Sequence, residues 1–209
     1  MLAPVAARAD DAQFWLTMAS DAQLGPHTAL TADIVVRSRP NTVDPAQTIA
    51  RVGVRRDVGN GWNVQIAYAL VETLVRGGPD RAEHRLSQTL SHPIGQWGGW
   101  QFDGRAGLEQ RLRADGGAVG LRARARVRAT HAIGHGLNAQ LSQEVIGALN
   151  STAWGQRAGI STTRTGAAVR VALSPRLGLS PGYTWQHVFV RAGADRNDHI
   201  AGLNIDAHF

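Results

Sequence analysis

Eight histidines (His27, His84, His92, His131, His135, His187, His199 and His208) and the hydroxyls of Ser87, Ser91, Ser142 and Ser151 are the groups best suited to acid–base or nucleophilic work. None of them stands in a nucleophile or metal motif. His131 and His135 have the H-x-x-x-H spacing, but they flank a glycine turn, whereas zinc ligation at that spacing needs one face of a helix. That match reads as turn chemistry. Glu83 and Arg85, two residues apart on one strand face, read as an ion pair. The most unusual pattern is Arg122, Arg124, Arg126 and Arg128, a row of fixed guanidiniums that favours phosphate or carboxylate partners. The expectation is therefore no catalytic residue, no cofactor, no metal and no enzyme, with a membrane-embedded hydrolase as the weaker alternative.

Such a row needs an element that points every second residue the same way. From Val119 to Thr130, Val119, Leu121, Ala123, Ala125, Val127 and Ala129 alternate with Gly120 and the four arginines. A strand sets those arginines on one side, whereas a helix scatters them around its axis. The same period divides Trp100–Arg111, where Asp103, Arg105, Glu109 and Arg111 oppose Trp100, Phe102, Ala106 and Leu108. It recurs in Thr28–Arg39, Trp62–Leu70, Leu137–Val145 and His199–Phe209, and more weakly in Phe14–Leu24, Gln47–Asp57, Ala82–Ser91, Arg164–Leu173 and Leu177–Val190. Tight turns are expected at Gly25-Pro26, Gly59-Asn60-Gly61, Gly134-His135-Gly136 and Ser174-Pro175-Arg176, alternating with longer links. No linker divides the chain, so residues 10–209 read as one domain.

The 209 residues include no cysteine, which excludes disulfides, thiolate metal sites and a cysteine nucleophile. All 22 basic residues are arginine, and the net charge is +6. A nucleic-acid partner is not expected, because the arginines alternate with an unbroken apolar face and no stacking aromatics accompany them. No spanning helix fits, since the longest charge-free stretch, Leu86–Phe102, is broken by prolines, glycines and polar residues. The polar faces carry Asp21, Asp33, Glu83, Asp103, Glu109, Glu144 and Asp206. Against them stand Arg37, Arg51, Arg55, Arg85, Arg105, Arg111, Arg122, Arg124, Arg126, Arg128, Arg164 and Arg170. The apolar faces hold Ala, Val, Leu and Ile, with Trp62, Trp100, Trp185, Tyr183 and Phe209 placed as an interfacial girdle would be. A soluble barrel usually packs its bulky residues inside. An all-β, single antiparallel up-and-down transmembrane β-barrel is the expected fold, in the outer membrane of a Gram-negative bacterium and surrounded by its lipid.

The last strand ends in Phe209 with apolar residues at every second position back from it. That ending resembles the assembly signal of outer-membrane barrels, which implies the barrel-assembly machinery as a partner. At the other end, Ala7-Arg8-Ala9 has the small-x-small form of a signal-peptidase site, so residues 1–9 read as a signal-peptide remnant or a disordered start. Glu83-His84-Arg85-Leu86-Ser87-Gln88 is similar to the E-x-R-x-x-Q segment of the DUF2490 family. The resemblance runs from Phe14-Trp15 to the C-terminus, through Arg164, Ser174-Pro175, Gly182-Tyr183 and Asn197–His199. It implies an outer-membrane barrel and no agreed activity. Pro181 departs from the pattern and weakens ladder pairing where it stands.

Alternation marks about eleven strands, but bacterial barrels usually have an even number. Twelve are therefore expected within a range of ten to twelve, with Trp154–Thr163 as the hidden member. Two readings of the interior stay open. The lumen-facing residues Glu83, Arg85, Asp103, Arg105, Glu109, Arg111, Arg122, Arg124, Arg126, Arg128 and Glu144 line a narrow, porin-like, anion-preferring pore for small solutes. Alternatively they pair with one another and plug a structural or partner-binding barrel.

Overall fold

A computed structural model describes residues 11–191 and 193–209. The expected leader remnant or disordered start at residues 1–9 lies outside the described residues. The period-two segments become β1 (Asp11–Gly25), β2 (Thr28–Ser38), β3 (Pro45–Gly59), β4 (Trp62–Thr73), β5 (Arg81–Trp97), β6 (Trp100–Arg113), β7 (Gly120–Gly134), β8 (Leu137–Ala148), β9 (Gly159–Ser174), β10 (Leu177–Val188) and β11 (Arg196–His208). Each strand pairs antiparallel with its neighbour in sequence, and β1 closes the barrel on β11. Closure leaves no unpaired sheet edge.

The barrel has eleven strands, not the expected twelve. Residues 154–163 do not make a strand of their own: 150–158 form a loop, and 159–163 lengthen β9. Gly155 and Gly159, at φ of 109° and 115°, turn the chain out of the extended region there. The odd number is accommodated at one seam, where β1 and β11 run parallel from Asp11↔Asp198 to Asp21↔His208. Two backbone bonds finish it: Gln23 N–H donates to Phe209 O, and Phe209 N–H donates to Asp21 O, both at 2.9 Å. The C-terminal residue is thereby part of the closure.

All connections at one end are two-residue turns, Pro26-His27, Asn60-Gly61, Gly98-Gly99, His135-Gly136 and Pro175-Arg176. The Gly98-Gly99 turn lies inside the charge-free stretch that hid it from the alternation, and both glycines take positive φ, as a tight hairpin demands. The opposite end carries the longer links 39–44, 74–80, 114–119, 149–158 and 189–195, together with the start of β1. Pro181 keeps its place opposite Leu203 of β11, while the ladder to β9 passes from Leu179↔Val171 to Gly182↔Ala168 around it.

Strand parity makes the barrel apolar outside and charged inside. Outward-facing Ile66 is 55% exposed and Val127 46%, whereas inward-facing Val71 is 1% exposed. Among the described residues, the interior has an apolar cluster of Ile49, Ala69 and Val71, with Val35 packed against it. It lies on β2, β3 and β4, in the half of the barrel nearer the long links. Arg85, Glu109, Gln186 and Asp198 are buried in the same half.

Candidate functional site

The candidate arginines and carboxylates all point into the lumen, because each occupies the inward parity of its strand. Register then decides which of them meet. Glu83 takes both Arg85 (Nε–Oε1 2.6 Å) and Arg111 (Nε–Oε1 2.7 Å, Nη2–Oε2 2.8 Å). Arg122 pairs with Glu109 on the adjacent strand. Glu144 holds Arg124 at 2.8 Å on one oxygen and Arg164 at 3.2 Å on the other. Arg128 meets Asp103 at 2.9 Å. Three members of the arginine row are therefore neutralised across strands by carboxylates, as the plugged alternative requires. The motif around Glu83 is split by parity: Gln88 faces outward and exchanges amide hydrogen bonds with Gln110 at 3.2 and 3.1 Å. Reciprocal pairing leaves neither amide unsatisfied on an apolar face.

The loop half of the lumen is closed by residues that alternation did not mark. Gln156, buried, accepts from Arg111 Nη1 at 3.1 Å and donates to Leu121 O and Asn150 O at 3.2 Å. Trp154 donates its indole N–H to Ala118 O at 2.8 Å, and its ring lies 5.0 Å from the Arg111 guanidinium. The loop can fold this closely because β7 begins with glycine. A Cβ on Gly120 would stand 2.7 Å from both Gln156 Oε1 and Trp154 Cζ2. Further in, Trp15 projects between Arg37 at 4.1 Å and Arg164 at 5.0 Å, and so links β1 and β2 to β9 across the interior. Asp198, fully buried, accepts from Gln186 at 2.6 Å and from Arg196 at 2.9 Å. The sequence marked Trp15 and Asp198 only within the family resemblance, with no role in the interior, and it did not mark Asn150 and Gln156, which lie in a loop where strand parity gives no signal.

The lumen holds a cavity of about 830 Å³ that runs from the turn half inward to Trp15, Arg37, Glu109 and Glu144. Arg51, Arg55, Arg105, Arg126 and Arg128 contribute to its wall, with Asp33, Asp206 and His208. Its rim is a chain of pairs: Arg55 to Asp21 at 2.6 Å, Asp21 to His208, His208 to Asp206 at 3.1 Å, and Asp206 to Arg170 at 2.5 Å. That chain also ties β1 to β11 across the parallel seam. Deeper, compensation fails. Among the described residues, Arg105 reaches Gln65 (3.3 Å) and Thr89 (3.4 Å) alone, and the buried Nε of Arg126 has no hydrogen-bond partner. Arg37 rests on Trp15 and Gln47, and its Nε is likewise without a partner. Among the described residues, these three lumen arginines meet no carboxylate within ion-pair distance.

His131 does not face this chamber. It stacks on Trp100 with ring centroids 5.0 Å apart and meets Gly99 O at 2.9 Å through Nδ1. His92 repeats the arrangement one hairpin earlier, on Trp62 (4.2 Å) and Asn60 O (3.1 Å). Both rings clamp a tight turn from the outward face. His135 lies in the next turn and is exposed.

A family model described as a protein of unknown function, DUF2490, matches residues 12–198. The chain belongs to the DUF2490 family. The matched segment takes in Glu83–Gln88, Gly182-Tyr183 and Asn197, and it ends within β11. An uncharacterized protein of Methylorubrum extorquens is 28% identical over 198 residues, which cover 93% of this chain and 86% of the relative. For this DUF2490 member the residues themselves must carry any reading of function.

Proposed function

We propose that this DUF2490 barrel is an integral protein of the bacterial outer membrane, closed in the loop half of its lumen and open as a cationic chamber in the turn half. The observation that carries the reading is its inverted polarity. Bulky side chains such as Leu30, Ile34, Ile66, Leu86 and Trp97 are exposed outside, while ion pairs fill the inside. In water that surface would aggregate; in lipid it is the favourable arrangement. The twelve residues of β4, at ~3.3 Å each and tilted ~45°, cover about 28 Å along the membrane normal, close to the hydrocarbon thickness. Trp62, Trp97 and Trp100 gather near the turn end, while the exposed Phe14, Trp185 and Phe189 lie toward the loop end, as two interfacial belts would.

In outer-membrane barrels the short turns face the periplasm. The chamber then opens to the periplasm, and the Glu83, Glu144 and Gln156 contacts close the outer side. Phe209, built into the seam, is the residue the assembly machinery would engage. The role is binding or holding a small anionic solute, without chemistry on it. Passage of anions is the second reading, favoured by the surplus of arginine, and it requires the 149–158 loop to leave the lumen.

Heat-modifiable migration on gels and co-fractionation with the outer membrane are the expected results, and a monomer freely soluble without detergent would overturn the membrane assignment. In planar bilayers the purified protein is expected to give no steady conductance. Regular anion-selective steps would replace the closed barrel by the pore.

A further inference from the structure

Two of the three arginines without carboxylates stand together. Arg105 and Arg126 are directly opposite each other in the register of β6 and β7, both pointing into the cavity. Like charges facing across a strand pair oppose folding. A buried guanidinium nitrogen without a partner adds to that penalty. Elsewhere in this lumen the conflict is resolved: Arg111 and Arg85 share Glu83, and Arg124 and Arg164 share Glu144. No carboxylate does the same for Arg105 and Arg126, although Glu144 stands directly opposite Arg126 on β8 and Asp103 is the next inward residue to Arg105 on β6. Those two carboxylates are already held by Arg128, Arg124 and Arg164.

We infer that the Arg105–Arg126 pair is a binding site for a small polyvalent oxyanion, one carrying carboxylate or phosphate groups, that enters the chamber from the turn end. The missing counter-charge is supplied by the ligand. The cavity of about 830 Å³ accommodates a solute of metabolite size, within the range of ordinary ligand pockets. Guanidinium is the donor suited to such groups, because its planar fork meets two oxygens at once. Arg51, held to Asp33 only at 3.5 Å, stands at the same level and can turn toward a second anionic group. The site faces the lumen, so it selects a dissolved anion over a lipid headgroup. The inference deepens the chamber reading above and rests on it for the route of entry only.

The test is calorimetric titration of the intact protein in neutral detergent micelles with citrate and with pyrophosphate, alongside acetate and spermidine. Saturable binding of citrate, pyrophosphate or both is expected, with acetate much weaker and spermidine silent. Arg126→Gln and Arg105→Gln are each expected to lower affinity about tenfold or more, the loss of a charge-assisted hydrogen bond. Arg56→Gln, on the exposed outer face of β3, is expected to change nothing. A second readout is thermal: Arg126→Met is expected to raise Tm in the absence of anion and to abolish the rise that citrate or pyrophosphate produces in the parent chain.

Absence of saturable binding, or equal weakening by Arg56→Gln, would overturn the site. So would a Tm that falls in ligand-free Arg126→Met, since the charge would then be compensated. Because binding is measured in micelles, its failure is separate from the closed-barrel reading. Conductance steps combined with intact anion binding would remove the closed lumen and leave this site standing.

Discussion

Glu83→Gln removes one charge and almost no volume, and in this barrel it leaves two guanidiniums without a counter-ion. Glu83 accepts from Arg85 Nε at 2.6 Å and from Arg111 at 2.7 and 2.8 Å, and its side chain is 13% exposed, against 8% and 18% for its partners. Breaking a buried pair by deleting one member costs about 3–5 kcal/mol, because the remaining charge stays desolvated. The amide at position 83 keeps one acceptor oxygen but turns an NH₂ group toward an arginine, so a loss in the upper part of that range is expected. Asp44→Asn provides the contrast. It breaks the Asp44–Arg76 pair at 3.3 Å, with side chains 57% and 77% exposed, and about 0–1 kcal/mol is expected for a pair in water.

The assay is reversible urea unfolding of the protein in lipid vesicles, followed by tryptophan fluorescence and by the shift between folded and unfolded gel bands. If Glu83→Gln moves the midpoint no further than Asp44→Asn does, the ion pairs of the loop half are hydrated. The lumen is then not closed there. In a double-mutant cycle, Arg111→Met on the Glu83→Gln background is expected to recover part of the loss, because one orphaned charge disappears.

Gly120→Val places a side chain within 2.7 Å of Trp154 and Gln156 and is expected to expel the loop. Faster proteolysis within residues 149–158 and a stability loss of about 1–3 kcal/mol would report it. The 189–195 link is expected to loosen in acid. A hydrogen bond from Val190 N–H and contact with His187 hold the Asp195 carboxyl below its ordinary value of 3.8. Its contribution is therefore complete above pH 3.8 and is lost as pH falls through the lowered value. Peptide-level hydrogen exchange, corrected for intrinsic rate, is expected to show Val190 losing protection over that range. In Asp195→Asn the protection is expected to be reduced already at neutral pH.

The behaviour of β7 shows how far local pattern reaches. Alternation is a property of neighbouring residues, since successive side chains of any extended strand point to opposite faces. Arg122, Arg124, Arg126 and Arg128 could thus be assigned to one face with no knowledge of the partner strands. The same local rule marked about eleven strands; the preference of bacterial barrels for even numbers then pulled the expectation to twelve. The parallel β1–β11 seam, which unites residues at opposite ends of the chain, is what permits the odd number.

The amino-acid order by itself determined strand facing, the charged interior, the apolar exterior and four of the five tight turns, because each depends on residues a few positions apart. The tertiary structure decided which charges are neutralised. Arg126 and Arg122 occupy equivalent positions in the pattern, yet Arg122 pairs with Glu109 opposite it, while Arg126 stands between Arg105 on β6 and a Glu144 on β8 that Arg124 and Arg164 already hold. Inter-strand register and the competition of neighbouring arginines for one carboxylate make that difference, and register is set by turns and bulges spread around the whole circle. Closure likewise brought Trp15 against Arg164 and seated Gln156 under Arg111, contacts between segments that no local period connects. Strand physics placed the arginines in the lumen, and barrel geometry left Arg105 and Arg126 facing each other there.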